Sequence, residues 1–177
     1  REIAVLFRTN FQSRALEEHF LLAGVPYQVI GTRFFERKEV KDALSYIRAA
    51  LNPESIPDIS RVINVPVRGI GKVTLLKILA GREHELSGVA RKNVAEFHSL
   101  LARIKETALV KLPSETIAFV IKQSGMEKMY QDSAAEEDLE RLLNLRELVA
   151  LATRYDGGPQ EGGLAQLLED STLASDQ

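Results

Sequence analysis

The most informative segment of this chain is residues 66–81, Pro-Val-Arg-Gly-Ile-Gly-Lys-Val-Thr-Leu-Leu-Lys-Ile-Leu-Ala-Gly. One glycine on each side of an apolar residue allows the backbone to turn sharply, and the apolar-rich segment that follows is typical of a helix. The first N–H groups of a helix have no acceptor inside the helix. The sequence therefore predicts a hairpin that leads into a helix over 72–79 and presents backbone N–H groups to a ligand.

The side chains around this hairpin favour an anionic ligand, because positive charge and a hydroxyl lie beside the amides at a helix start. A phosphate of nucleic acid fits this chemistry better than a small apolar molecule. The candidate duplex-binding residues are Arg68, Gly69, Ile70, Gly71, Lys72 and Thr74. An alternative stays open at this point, because Gly-x-Gly before a helix often only connects two packed helices.

The same segment does not match a nucleotide-binding P-loop, which requires a glycine, four residues and then Gly-Lys-Ser/Thr. The Gly71-Lys72 pair lacks the upstream glycine, and Val73 stands where the hydroxyl residue is needed. No other segment fits the pattern either. We therefore expect no catalytic residue and no cofactor in this chain, and no ATP hydrolysis by the chain alone.

Composition indicates a folded protein whose charge is unevenly distributed. The chain has 177 residues, of which 45% are hydrophobic, no cysteine and a net charge of −2. Lys and Arg outnumber Asp and Glu by ten to six over 53–112, whereas 113–177 hold five basic and thirteen acidic residues. An acidic surface repels phosphates, so a nucleic-acid interface is expected in the first two thirds of the chain. No apolar run approaches the length of a membrane span.

Hydrophobic periodicity predicts one short α/β segment followed by helices. Apolar runs at 3–7 and 25–30 have the pattern of buried strands, and the helix between them is predicted over 12–23 with Gly24 as its C-cap. Further helices are predicted at 38–51, 58–64, 72–79, 87–108, 114–123, 136–155 and 164–168. Because two strands cannot form a complete sheet domain, we expect the chain to be a piece of a larger α/β protein.

Two segments resemble consecutive motifs of UvrD/Rep/PcrA-type ATP-dependent DNA helicases. They are residues 3–18, Ile-Ala-Val-Leu-Phe-Arg-Thr-Asn-Phe-Gln-Ser-Arg-Ala-Leu-Glu-Glu, and residues 34–48, Phe-Phe-Glu-Arg-Lys-Glu-Val-Lys-Asp-Ala-Leu-Ser-Tyr-Ile-Arg. The resemblance implies a mainly α fold in two parts. Residues 1–31 would be a β-α-β remnant of the second RecA-like motor domain, and residues 32–177 the helical 2B-like insertion domain. The hairpin would be a duplex-contacting element of helix-hairpin-helix type.

The resemblance also implies roles for residues outside the hairpin. Arg8 and Asn10 match positions that contact the tracking single strand, although Asn10 could instead cap the helix that follows. Arg37, Asp42 and Arg48 are expected to organise the junction between the two domains. The three histidines lie far apart in sequence and form no metal-ligand spacing, so no metal site is expected.

For the parent protein, the resemblance implies a DNA helicase that hydrolyses ATP with Mg²⁺ in the cytoplasm. Its partners would be single-stranded DNA, duplex or junction DNA, the remaining helicase domains, and repair or replication proteins, without a membrane. A second class of function stays open, in which the helical domain is a protein-interaction module that docks a partner through its acidic last third. A nuclease-fused relative, such as a RecB-like or AddA-like enzyme, is also compatible with the sequence.

Overall fold

The computed structural model describes residues 3–6, 11–27, 34–157 and 163–176. In this part of the chain the regular secondary structure is helical, which confirms the mainly α class. The α-helices are α1 (Phe11–Leu22), α2 (Lys38–Leu51), α3 (Ile56–Val62), α4 (Lys72–Leu79), α5 (Gly88–Val110), α6 (Pro113–Ser124), α7 (Met126–Gln131), α8 (Glu136–Ala152) and α9 (Gly163–Asp176). Short 3-10 helices lie at Phe34–Glu36, Glu83–Glu85 and Thr153–Tyr155.

The predicted β-α-β segment is only partly described. Its helix is present as α1, and Gly24 follows it with φ +64°, the left-handed conformation expected of a C-cap glycine. Residues 3–6 and 25–27 belong to no strand, and the remaining residues of the two predicted strands lie outside the described ranges. Ile3 and Leu6 are 89% and 93% exposed, so the described residues do not bury the first apolar run. The strand prediction therefore stays unconfirmed.

Helix α2 forms the centre of the helical part and was predicted with the bounds that it has. It packs against α3, α5, α6 and α8, so its apolar residues are buried around most of its circumference. Ten of its fourteen residues are buried, polar ones among them, so α2 is a core helix. Helix α7 was not predicted; it has six residues and begins directly after Gly125, which is also the C-cap of α6.

Polar side chains of α2 and of its N-cap residue Arg37 have partners on neighbouring helices; Arg37 and Glu39 are buried and Arg48 is half-buried. Arg37 Nη1 donates to Asn144 Oδ1 over 2.8 Å, and Asn144 Nδ2 donates to Glu39 Oε1 over 2.6 Å. Arg48 Nη2 donates to the Leu168 carbonyl over 3.1 Å. These bonds fix α2 to α8 and α9, because a buried polar group that loses its partner costs about 1–3 kcal/mol.

The three predicted junction residues thus find partners inside the helical part. Asp42 Oδ1 lies 2.7 Å from Arg61 Nε of α3, an ion pair rather than an aligned hydrogen bond. Burial raises the pKa of Asp42, and the Arg61 charge opposes this rise. Burial lowers the pKa of Arg37, and Glu17 of α1 is the first of several carboxylates that oppose it. Within the described ranges, the surroundings of Arg37 thus include a residue of α1, and the junction role stays a prediction.

Tyr46 connects α2 to the segment that enters the hairpin. Its side chain is fully buried, and its hydroxyl donates to the carbonyls of Val62, over 3.2 Å, and of Val65. Burial raises the pKa of Tyr46 to about 12, and the Arg68 charge partly opposes this rise. The unfolded-state value is about 10, so the folded state holds the proton more tightly.

Removing this hydroxyl is expected to destabilise the fold and to change its response to high pH. Tyr46→Phe leaves two carbonyls without this donor, so we expect a loss of about 1–2 kcal/mol at neutral pH. In the native chain this tyrosine contributes stability that is complete below pH of about 10 and is lost as pH rises toward about 12. Urea unfolding from neutral to alkaline pH checks both expectations, and an equally steep alkaline loss in Tyr46→Phe would contradict them.

Candidate nucleic-acid interface

The predicted hairpin lies between two short helices. Helix α3 ends at Val62, residues 63–71 form the connection, and α4 begins at Lys72 with Gly71 as its N-cap. The chain thus contains a helix, a hairpin and a second helix in the predicted order. The hairpin is held by side chains of α2 and α5 and by a backbone carbonyl at the end of α6, and these contacts decide which of its groups are open to a ligand.

Asn64 organises the turn from within. Its Oδ1 atom accepts from the backbone N–H of Arg68 over 2.7 Å and from that of Ile70 over 3.3 Å. Asn93 of α5 contacts the hairpin from outside, because its Nδ2 atom donates to the Arg68 carbonyl over 2.8 Å. The amides of Arg68 and Ile70 are therefore used internally and are not the ones offered to a ligand. The role of Asn64 was missed, although an asparagine shortly before a turn often binds the backbone in this way.

The Arg68 side chain also points into the protein rather than toward solvent. Its Nη1 atom donates to the carbonyls of Pro66 over 3.0 Å and Val62 over 3.4 Å, and its Nη2 atom donates to the Ser124 carbonyl over 2.8 Å. The guanidinium lies over the rings of Tyr46 and Phe97, at 5.7 and 5.9 Å from their centroids. These contacts argue against the predicted phosphate contact and give Arg68 a positioning role, so we do not carry it forward as a DNA ligand.

The two residues after Arg68 set the shape of the turn. Gly69 has φ +70°, a conformation that favours glycine, and a Cβ atom there would lie 3.3 Å from Asn93 Nδ2, so a side chain would also press on Asn93. Ile70 is 3% exposed and packs in the hydrophobic core. Its side chain therefore anchors the hairpin and does not reach a ligand, in contrast to its predicted place among the duplex-binding residues.

The start of α4, directly after the hairpin, stays open to a ligand. Gly71 caps the helix without a side chain, so no cap side chain accepts from the N–H groups of Lys72, Val73 and Thr74. Lys72 is exposed and Thr74 is half-buried at this start. The partial positive charge of a helix N-terminus and the Lys72 ammonium together favour an anion here. Of the predicted set, Gly71, Lys72 and Thr74 therefore keep a geometry suited to a phosphate.

The remaining predictions concern the single-strand ligands, a metal site and a membrane span. Arg8 and Asn10, the predicted single-strand ligands, lie outside the described residues. His98 Nε2 lies 3.2 Å from Glu83 Oε1, and His19 Nδ1 lies 2.6 Å from the Ala15 carbonyl. Among the described residues, no group of three or more acidic or histidine side chains could hold a metal ion. No helix in the described ranges is long and apolar enough to cross a membrane.

The fold and the hairpin place this chain in a broad class of helical domains. In this class a turn presents the N–H groups of a helix start and a lysine to solvent. Comparison with known proteins narrows this class, because the model of the UvrD-like helicase C-terminal domain matches residues 1–177. The chain belongs to this family, which confirms the resemblance seen in its motifs.

Individual relatives agree with the family match. DNA helicase II of Escherichia coli (strain K12) is 37% identical and is aligned with 94% of this chain, and that of Haemophilus influenzae is 39% identical over 86% of it. The ATP-dependent DNA helicase PcrA of Staphylococcus epidermidis is 34% identical over 99% of the chain. The aligned regions cover 25%, 23% and 26% of these relatives, so the chain spans about a quarter of their length.

Arg68 in the hairpin and Lys72 directly after it provide a test of the positioning role of Arg68. Arg68→Ala is expected to lower the free energy of unfolding by about 2–3 kcal/mol, because three carbonyls lose a charged donor. Lys72→Ala, the matched control, is expected to stay within about 0.5 kcal/mol of the native chain, because Lys72 is exposed. Urea unfolding measures both variants, and equal stability of the two would contradict the assignment.

Proposed function

We propose that this chain is the part of a UvrD/Rep-type ATP-dependent DNA helicase that binds the backbone of duplex DNA. The observation that supports the proposal best is the uncapped start of α4, where helix N–H groups and Lys72 face outward from a hairpin that Asn64 and Arg68 hold in place. Helix N-termini and lysines are common phosphate ligands. Membership of the helicase family makes DNA the polyanion that this surface would bind.

Binding of this kind positions a duplex without reading its sequence. Backbone N–H groups and a lysine contact phosphates, which are the same at every base pair, whereas sequence is read at the base edges. Because a helicase acts on any sequence that it meets, a sequence-independent contact suits the proposed role. Ile70 supports the contact indirectly, since its burial fixes the hairpin against the core.

The remaining parts of the proposal come from the resemblance. We assign residues 1–31 to the second motor domain and 32–177 to the 2B-like insertion, with Arg8 and Asn10 on the single strand. In the parent protein, ATP-driven closure of the motor domains would move that strand while the hairpin holds the duplex. Other parts of a cytoplasmic parent would bind ATP and Mg²⁺, because this chain has no P-loop.

We therefore expect no phosphate release from ATP by the purified chain with DNA, and DNA-stimulated turnover would contradict this.

A substitution at Gly71 separates phosphate binding from fold stability. A Cβ atom at Gly71 would meet no heavy atom within 4 Å, and φ −79° suits any residue. Gly71→Ser is therefore expected to fold at least as stably as the native chain, because its hydroxyl can accept from the N–H groups at the start of α4. The same hydroxyl competes with a phosphate, so DNA affinity is expected to fall. Anisotropy of a labelled duplex and urea unfolding measure the two quantities.

Lys72→Ala is the companion variant in the same titration. We expect it to weaken duplex binding and to reduce the slope of log K against log salt by about one, as for the loss of one phosphate contact. Unchanged affinity in both Gly71→Ser and Lys72→Ala would remove the start of α4 from the interface.

A second candidate function is docking of a repair or replication protein by the acidic last third of the chain. A cleft of about 480 Å³ opens between α7 and α8, lined by Tyr130, Leu139 and Leu142 and bordered by Glu136. Leu139 is exposed, which gives this acidic region an apolar contact. Apolar docking would persist at high salt, whereas phosphate binding weakens steeply. Binding that is insensitive to salt and to competitor DNA would favour this second function.

A further inference from the structure

The cleft between α7 and α8 is lined mainly by apolar side chains. Its volume is about 480 Å³, and its lining includes Tyr130 of α7, Leu139 and Leu142 of α8, and two alanines of the segment that connects these helices. Leu142 is buried, whereas Leu139 is 56% exposed. A cleft of this size has room for a side chain of a partner, and an exposed leucine in its lining gives that side chain an apolar contact.

The hydroxyl of Tyr130 makes no hydrogen bond within the described part of the chain, although the residue is only 5% exposed. A buried tyrosine hydroxyl usually has a partner, as Tyr46 has in two carbonyls. The Tyr130 oxygen is not one of the fully buried polar atoms that lack a partner among the described residues, and the residue lines the cleft. This hydroxyl is therefore available to a ligand that enters the cleft.

The charge around the cleft is negative. Residues 127–141, which hold most of α7, the connection and the start of α8, contain six acidic and two basic residues. Burial raises the pKa of Tyr130 to about 12, and the carboxylates of Asp42 and Glu39 on α2 add to this rise. Negative charge that disfavours a phenolate at this place favours a cation there.

Glu136 supplies negative charge in the lining of the cleft itself. It is exposed, and it forms no ion pair with another described residue. The next two carboxylates are different, because Arg141 Nη2 lies 3.4 Å from Glu137 Oε2 and Arg141 Nη1 donates to Asp138. Three carboxylates in the first turn of α8 outweigh the partial positive charge of about half a unit at a helix start. Glu136 is therefore the carboxylate that a cation in the cleft can pair with.

We propose that the cleft between α7 and α8 binds a basic amphipathic segment of a partner protein. A leucine or a similar side chain of that segment contacts Leu139 and Leu142. A lysine or arginine beside it pairs with Glu136 and donates to the Tyr130 hydroxyl oxygen. Nucleic acid does not suit this cleft, because the acidic residues repel its phosphates. The inference deepens the second candidate function and is independent of DNA binding at α4.

The probe is a fluorescently labelled helical peptide with leucine and arginine on one face, whose binding to the 177-residue chain is measured by anisotropy at about 150 mM salt. Two control peptides carry glutamate in place of arginine, or alanine in place of leucine. We expect the native chain to bind the first peptide. The glutamate peptide should lose binding through like-charge repulsion, and the alanine peptide through loss of the apolar contact.

Tyr130→Phe removes the hydroxyl and keeps the ring. Because the hydroxyl has no partner within the described part of the chain, the urea midpoint should stay unchanged, in contrast to Tyr46→Phe. Binding of the leucine–arginine peptide should weaken several-fold. A tyrosine with only a structural role would leave peptide binding unchanged.

Two leucines of equal exposure provide a matched control. Leu139 and Leu173 are both 56% exposed, but Leu173 belongs to α9 and does not line the cleft. We expect Leu139→Ala to weaken peptide binding about tenfold and Leu173→Ala to leave it unchanged. For the charge, Glu136→Gln should weaken binding several-fold, whereas Glu106→Gln on α5, also at an exposed position, should not. Circular dichroism checks that each variant folds as the native chain does.

The outcomes separate this inference from the proposed function. The inference is overturned if the native chain does not bind the leucine–arginine peptide, or binds the glutamate peptide as tightly. It is also overturned if Leu139→Ala and Tyr130→Phe bind the peptide as Leu173→Ala does. Duplex binding is measured separately with Lys72→Ala, so peptide binding without duplex binding contradicts only the proposed function, and the reverse result contradicts only this inference.

Discussion

The structure of the candidate interface depends on the hydrogen bonds that Arg68 donates to three backbone carbonyls. They connect the hairpin to the end of α3 and to Ser124 at the end of α6, and the guanidinium also lies over two buried rings. A charged donor is worth more in such a site than a neutral one. The hairpin is therefore fixed relative to the core before any ligand arrives, and a prepositioned site spends less binding energy on ordering.

The hairpin divides its polar groups between the protein and the solvent. Asn64 takes the amides of Arg68 and Ile70, Asn93 takes the Arg68 carbonyl, and Ile70 places its side chain in the core. The start of α4 and the side chain of Lys72 lie at the surface. The glycine at the N-cap is important to this division, because a serine or aspartate there would satisfy the helix amides from within.

Sequence patterns predicted the helix bounds well where the hydrophobic periodicity agreed with the residues that start or end a helix. Helix α2 has the predicted bounds, and α4 begins and ends as predicted, because each combines an apolar pattern with a clear local start. The ligand role of Arg68 was predicted from its neighbours along the chain, but its decisive partner, Ser124, is 56 residues away. Local patterns carry no information about such a contact, and the same holds for Asn93, which is 25 residues from Arg68. The family was recognisable because its motifs are contiguous, whereas the strands predicted at 3–7 and 25–30 need partners that local periodicity does not supply.

Backbone amide shifts on addition of duplex DNA report whether the start of α4 binds phosphate. In a ¹⁵N–¹H spectrum of the chain, the amides of Lys72, Val73 and Thr74 are expected to shift on titration, because they are the proposed phosphate donors. The amides of Arg68 and Ile70, which Asn64 already holds, should move much less. A spectrum in which the DNA-dependent shifts lie elsewhere in the chain and leave the start of α4 unchanged would contradict the account.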